Sequence, residues 1–315
     1  PFDPWGALLM FTGLGSVLLG ISQGEWWGWA SWATVGLLGL GAVALAAFVA
    51  LEQRLPSPLV DLRLFRDRVF VLANVSGLLN FMAQFSVTFL MPFYLQNVLR
   101  LSADRAGLVM LGFPAALALS APLAGVLAGR VSAPALAAAG MGVLCAGIWS
   151  MSRLSAHLGP GDLFVRLAVV GAGAGLFQTP NSDTVMGRVP RHRLGVAGGL
   201  WASMRNIGMV LGIALAAAIF AARAGSSVEE AARRAELFVA GLRLAMQVGA
   251  ALALAGVVSS LATVMGGPRP GAHSLCGDTH GRNKDAARAA TDSAHRGAGQ
   301  LVRTPFAQPG DGRSP

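Results

Sequence analysis

Residues 69–94 read VFVLANVSGLLNFMAQFSVTFLMPFY, and this stretch decides the fold. It carries no charge and is long enough to cross about 30 Å of hydrocarbon, which takes roughly 17–25 helical residues. A barrel strand would be about ten residues long and would alternate polar with apolar; this run is longer and continuous. At about 100° per residue, Asn74, Gly77, Asn80, Gln84 and Thr88 share a helix face about 120° wide, with Phe81 and Phe85 flanking it. Amides facing lipid are costly, so this face must meet protein or water. Two readings stay open. One is interhelical hydrogen bonding, about 0.6 kcal/mol per bond. The other is the wall of a polar, aromatic-edged cavity.

Seven further runs of similar character surround it: Trp5–Ile21, Ala30–Leu51, Ala106–Leu127, Ala135–Met151, Leu163–Thr179, Val196–Ala222 and Leu244–Met265. Of the 315 residues, 54% are hydrophobic and 12% charged. Soluble domains carry about 25% charged residues, and a globule this apolar could not build a polar surface. The fold class is therefore an all-α membrane protein of about eight transmembrane helices. The net charge of +9 does not indicate a nucleic-acid partner, because the charges lie between the apolar runs and in the last fifty residues rather than on one soluble face. Its solvent and first partner is the lipid bilayer.

The connections organise the chain. Residues 1–51 hold two apolar runs, separated by Gln23-Gly24-Glu25-Trp26-Trp27-Gly28-Trp29, whose tryptophans suit an interfacial belt. Asp3 followed by Pro4 suits an N-cap and a first-turn proline. Residues 52–68 form a link broken by Pro56 and Pro58. Residues 69–266 hold six runs. Residues 267–315 are rich in Gly, Pro, Ala, Arg and Asp without apolar periodicity, the composition of a disordered tail. Ser226 and Glu229 have capping-box spacing for a short helix before the last run. Arginines at 54, 63, 66, 68, 130, 188, 191 and 193 on one side slightly outnumber those at 100, 105, 153, 223, 233, 234 and 243 on the other, and adding the tail to the first set makes both ends cytoplasmic. The chain opens on Pro1 rather than Met, as a piece of a longer protein would.

Two other runs carry informative residues. In Val196–Ala222, Trp201, Arg205, Gly208 and Gly212 share one face, and the two glycines form a GxxxG pair suited to close helix contact. Arg205 lies about three turns inside, too deep to snorkel easily. It calls for a watery cavity or a buried partner, or for an internal pairing that only holds the bundle together. Gly171-Ala172-Gly173-Ala174-Gly175 lacks the third glycine of a dinucleotide loop, Leu176 standing there, and reads as tight helix packing. Gln178 follows at a cavity mouth or helix end, with Asn181 and Asp183 expected as helix caps. Arg166 is expected to snorkel outward. Asp3, Asp162 and Asp183 lie near run ends, and the five histidines in loops or tail. No catalytic triad or metal-ligand set assembles from this pattern, so an enzyme is not expected. Cys145 and Cys276 make no disulfide framework.

Several stretches together resemble a known family. Asp3-Pro4-Trp5-Gly6-Ala7-Leu8-Leu9 with Trp27-Gly28-Trp29, then Glu52, Pro58-Leu59-Val60-Asp61-Leu62-Arg63-Leu64-Phe65-Arg66, and Pro92-Phe93-Tyr94-Leu95-Gln96 follow in order. Pro122-Leu123-Ala124-Gly125, Arg193-Leu194-Gly195-Val196-Ala197-Gly198-Gly199 and Arg205-Asn206-Ile207-Gly208 continue the series. Their order and spacing resemble the C-terminal portion of the major facilitator superfamily, in its fourteen-helix drug:proton antiporter branch. Gly129 stands before Arg130 where that branch often has an acidic residue, which removes a gating charge pair.

The resemblance implies two linker helices followed by one six-helix bundle, and a multidrug exporter of a bacterial plasma membrane. Such a protein needs no cofactor, since a proton gradient supplies the energy, and its substrates are small amphiphiles. Its other partner would be an N-terminal six-helix bundle of the same protein, holding the proton-coupling residues. The substrate-cavity residues expected in this chain are Asn74, Asn80, Phe81, Gln84, Phe85, Thr88, Gln178, Trp201 and Arg205. Readings of another class are a membrane scaffold or sensor without a transport cycle, and a lipid-acting transferase, for which no interfacial cluster of polar catalytic residues is found.

Overall fold

The computed structural model describes residues 4–54, 62–154, 158–190, 194–224 and 235–265. Within them, eight helical spans are long and apolar enough to cross a membrane. The first two, α1 (Pro4–Trp27) and α2 (Trp32–Glu52), form a tight pair. Glycines make the approach possible: Gly13 faces Leu45, Gly20 faces Leu38, and a Cβ at Gly41 would lie 2.5 Å from Val17 Cγ2. Ser31 caps α2 by accepting from the Thr34 amide at 3.2 Å. Phe11, Trp32 and Val43 stay exposed on the pair, as lipid-facing side chains would.

The expected break over residues 23–29 is narrower than the sequence suggests. Helix α1 continues to Trp27, and Gly28, at φ +86°, turns the chain where a side chain would be strained. Polar Gln23 and Glu25 do not stop a helix whose backbone bonds are already formed by its neighbours.

The remaining spans build one bundle. A 3₁₀ turn (Leu62–Arg66) leads into α3 (Arg68–Phe93), which closes in a π-turn (Tyr94–Val98) just after Pro92. Next come α4 (Ala103–Met110) and α5 (Gly112–Leu127), which form one span bent at Leu111, and α6 (Ala133–Met151). Then follow α7 (Pro160–Met186), α8 (Leu194–Ala224) and α9 (Ala235–Met265). Helix α3 packs on α8 and α9, while α7 packs on α5 and α6; α6 and α9 also meet. Exchanging α3, α4/α5 and α6 for α7, α8 and α9 carries these contacts onto one another, the mark of a repeated three-helix unit. Helices α3 and α7 touch more lightly than either touches its tight partner.

The small-residue run of α7 works as expected. Gly171 and Gly175 admit the backbone of α5 at Phe113 and Leu117, and Gly173 admits α6 at Leu144. Gly140 and Gly147 of α6 reciprocate against α7. The core behind them holds Met141, Leu144, Ile148, Phe177, Phe220 and Phe238, all buried.

Two boundaries differ from expectation. Helix α7 runs through Pro180 to Met186 rather than ending at Thr179. Pro180 removes the donor to the Leu176 carbonyl, a loss tolerated inside a bundle of membrane helices. Helix α9 begins at Ala235, well before Leu244. Its early turn contains Arg243, whose Nε donates to the Leu154 carbonyl at 2.9 Å. The capping-box stretch at 226–229, Asp3 and the tail at 267–315 lie outside the described residues.

Charged groups sit at the two ends. Asp67 caps α3 by accepting from the Val69 amide at 2.9 Å, and its other oxygen meets Arg188 at 3.2 Å, just beyond α7. At the opposite end Arg166 pairs with Asp162 at 2.7 Å and also donates to the Ser150 carbonyl. Arg166 thus reaches toward the helix end, where Asp162 in the first turn of α7 is exposed.

Candidate functional site

The polar face of α3 meets protein along most of its length. Asn74 donates to the Phe70 carbonyl at 2.8 Å, one turn back on its own helix. Asn80 is fully buried and donates to the Met141 thioether of α6 at 3.5 Å. Thr88 donates to the Gln84 carbonyl at 3.1 Å. These three residues lie along α3 without bonding to one another. Asn74 Oδ1 and Asn80 Oδ1 are buried and have no partner among the described residues. Such acceptors cost free energy when left dry.

Gln84 differs from its neighbours. It stands within one residue of the middle of the Arg68–Val98 span, about 24 Å of helix from Arg68. Its Oε1 accepts from Gln178 Nε2 of α7 at 3.0 Å. The bond crosses the seam between α3 and α7, which touch more lightly than α3 touches α8 or α7 touches α5 and α6. Gln178 is half-buried, and so is Phe85. A membrane face expected from one helix alone therefore becomes a two-helix element.

A second cross-seam link lies toward the Arg68 end. Asn181 donates to the Ala73 carbonyl at 2.9 Å and accepts from Ser76 at 3.2 Å. With the run ending at Thr179, the sequence offers Asn181 as a helix cap or a cavity-mouth residue. Continuing the helix places Asn181 three residues past Gln178, on an adjoining part of the same face. Ser76 lies just outside the α3 stripe, about 40° around the helix from Asn80. Asp183, the other expected cap, is exposed within the last turns of α7.

Helix α8 supplies the aromatic side. Trp201 packs edge-on to Phe81, with ring centroids 5.6 Å apart, and covers Gly77. The Gly208–Gly212 pair lets α8 lie against the α3 backbone, at Leu78 and Met82 respectively. Ser86 seals that contact by donating to the Gly212 carbonyl at 3.0 Å. Arg205 is exposed and makes no hydrogen bond or ion pair among the described residues. It is not drawn into the Gln84–Gln178 element.

Helical spans with amides, a paired glutamine seam at mid-depth and aromatic edges define a multi-pass membrane protein of the transporter class, and comparison with known proteins gives the family. The Major Facilitator Superfamily matches over residues 4–213, and this chain belongs to it. The multidrug resistance protein Stp of Mycobacterium tuberculosis is 35% identical over 234 residues, covering 74% of this chain and 43% of that protein. The tetracenomycin C resistance and export protein of Streptomyces glaucescens is 29% identical over 224 residues, covering 71% of this chain and 42% of that protein. The chain thus spans less than half the length of these relatives. A solved bacterial homologue of the human lysosomal transporter Spinster, in an inward-facing and occupied conformation, superposes with a TM-score of 0.50 at 17% identity. That superposition covers 84% of this chain and 67% of the homologue, and it bears on the fold alone. The resemblance to drug-efflux members of the superfamily is borne out, and the family is one of transporters rather than enzymes.

Proposed function

We propose that this chain is the C-terminal bundle, with two preceding linker helices, of a fourteen-helix exporter in which proton entry down its gradient drives amphiphilic small molecules outward. The observation that carries the reading is the Gln84–Gln178 bond, a neutral polar pair at mid-membrane depth between α3 and α7. Transporters of this architecture bind substrate near the midplane and rock two bundles about it. The names of the relatives above, concerned with drug resistance and export, support an efflux direction. The proton-coupling residues belong to the part of the transporter that this chain does not contain. The setting is a bacterial plasma membrane with both ends of the chain in the cytoplasm.

Everted vesicles containing the full-length protein test this. Substrate uptake that depends on an imposed proton gradient, and that falls in Gln84→Leu while expression holds, is the expected result. No gradient-dependent movement across a broad panel of amphiphiles would favour a scaffold or sensor instead. This chain alone should not transport, since one bundle supplies one wall of a cavity. Gradient-driven flux by the isolated chain would overturn that part.

A further inference from the structure

The glutamine pair is half satisfied, and its free half has a definite chemistry. Two primary amides can exchange two hydrogen bonds; Gln84 and Gln178 exchange one. The bond uses the Gln84 carbonyl oxygen and one N–H of Gln178. What remains is the Gln84 NH₂ group and the second N–H of Gln178 as donors, and the Gln178 carbonyl as acceptor. None of these makes a further hydrogen bond to another side chain or backbone group among the described residues. The buried side-chain atoms left without partners include Asn74 Oδ1 and Asn80 Oδ1, but no atom of either glutamine. Gln84 is buried and Gln178 half-buried, and neither free end is fully enclosed. Rotating both amides by a half turn swaps their roles and again leaves one free NH₂ and one free carbonyl.

The surroundings narrow what this element can hold. Helix α5 carries no ionisable residue, and α3 carries one only at its first position, Arg68. On α7 the nearest charges along the chain from Gln178 are Arg166 and Asp183. Asp183 is five residues on, about 140° around the helix from Gln178. Arg205 of α8, one turn from Trp201, is the one deep charge on the neighbouring described helices, and it makes no bond to either glutamine. A charged ligand group held by the glutamines themselves would need an opposite charge beside it. A neutral group with its own donor and acceptor side by side needs none. It closes the open amide pair, and Phe85 offers an apolar neighbour for the rest of the molecule.

We infer that Gln84 and Gln178 together form a recognition site for an uncharged cis-amide edge, as in a lactam or imide, borne by an amphiphilic substrate. The ligand N–H donates to Gln178 Oε1, and Gln84 Nε2 donates to the ligand carbonyl. This rests on the efflux reading above and adds to it a substrate class and a pair of specificity-determining residues.

The test uses the full-length transporter in energised vesicles and three probes: an uncharged amphiphile bearing a secondary lactam, its N-methyl counterpart, and a quaternary ammonium dye. N-methylation removes the donor and little else. Wild-type protein is expected to move the lactam about five- to tenfold faster than the N-methyl compound, the equivalent of one hydrogen bond. Gln84→Leu and Gln178→Leu should each lower lactam transport and bring that ratio close to one. A wild-type ratio of one overturns the proposal, and so does a ratio that survives both substitutions. Equal loss of all three probes in the Leu variants and in Gln84→Met and Gln178→Met would make the pair a packing element and also overturn it. Failure of wild-type protein to move any probe under a gradient is a separate outcome, which removes the efflux reading and this proposal with it.

Discussion

The indole of Trp201 occupies the space that a side chain on Gly77 would need. A Cβ at Gly77 would lie 2.6 Å from Trp201 Cζ3 and 2.9 Å from Cη2. The same ring meets Phe81 edge-on at 5.6 Å, so one residue of α8 covers two positions a turn apart on α3. The clash is with a side chain, and a side chain can be cut back. Gly77→Val should lower the melting midpoint of the purified full-length protein, by the equivalent of about 1–3 kcal/mol. Trp201→Ala in the same protein should recover part of that loss, although each change alone destabilises. Additive losses in the double variant would mean that the two residues do not share the space.

The neighbouring glycine presents the opposite case. A Cβ at Gly212 would run into the backbone carbonyl of Met82, and Ser86 already holds the Gly212 carbonyl at 3.0 Å. No side-chain truncation on α3 relieves a backbone contact. Gly212→Leu should therefore push α8 off α3 and abolish recovery of folded protein, and Met82→Ala should not rescue it. Size-exclusion profiles of a fluorescent fusion would show this directly. A monodisperse Gly212→Leu peak would contradict the packing described here.

These glycines were legible in the sequence, because GxxxG spacing and the Gly171–Gly175 run each have a direct packing meaning. The eight spans were legible for the same reason: length and apolar continuity leave little choice in lipid. What could not be read was which way each polar group turns. Asn80 and Gln84 sit on one stripe of α3, yet one is enclosed against Met141 and the other crosses to α7. That difference depends on where α6 and α7 lie, which no single-helix projection contains. Asn181 could not be placed for a local reason, since Pro180 reads as a stop unless neighbouring helices are known to support it. Arg205 shows the converse. Its depth called for a partner or for water, and no described residue of this chain serves as a partner.

Asp67 has two jobs that substitution can separate. It caps α3 through the Val69 amide, and it holds Arg188 beyond α7. Asp67→Ser keeps an acceptor for the cap and removes the charge. Asp67→Ala removes both. The serine variant should lose little stability, because partly exposed ion pairs contribute about 0–1 kcal/mol. The alanine variant should lose about 1 kcal/mol more, the usual worth of an N-cap. Melting curves of the two variants side by side measure the difference. Equal melting points would mean that the cap contributes nothing to the folded protein.

Asn80 poses the sharpest choice between stability and function. It is fully buried, its NH₂ reaches only a thioether, and its carbonyl oxygen has no partner among the described residues. A group held this way is worse for stability than an apolar side chain of similar volume, since an unsatisfied buried acceptor costs about 1–3 kcal/mol. Asn80→Leu should therefore raise the melting midpoint, unlike every other substitution considered above. Leucine also suits the neighbouring Met141, whose terminal methyl reaches toward Gly256 on α9. If the amide serves only packing, transport should survive intact in the stabilised variant. If it serves the transport cycle, for instance by taking up water as the bundle moves, the same variant should be more stable and slower. Melting and gradient-driven flux measured on one preparation separate these outcomes. A lower melting point in Asn80→Leu would show that the orphan carbonyl is satisfied in the membrane, and the destabilisation argument would then fail.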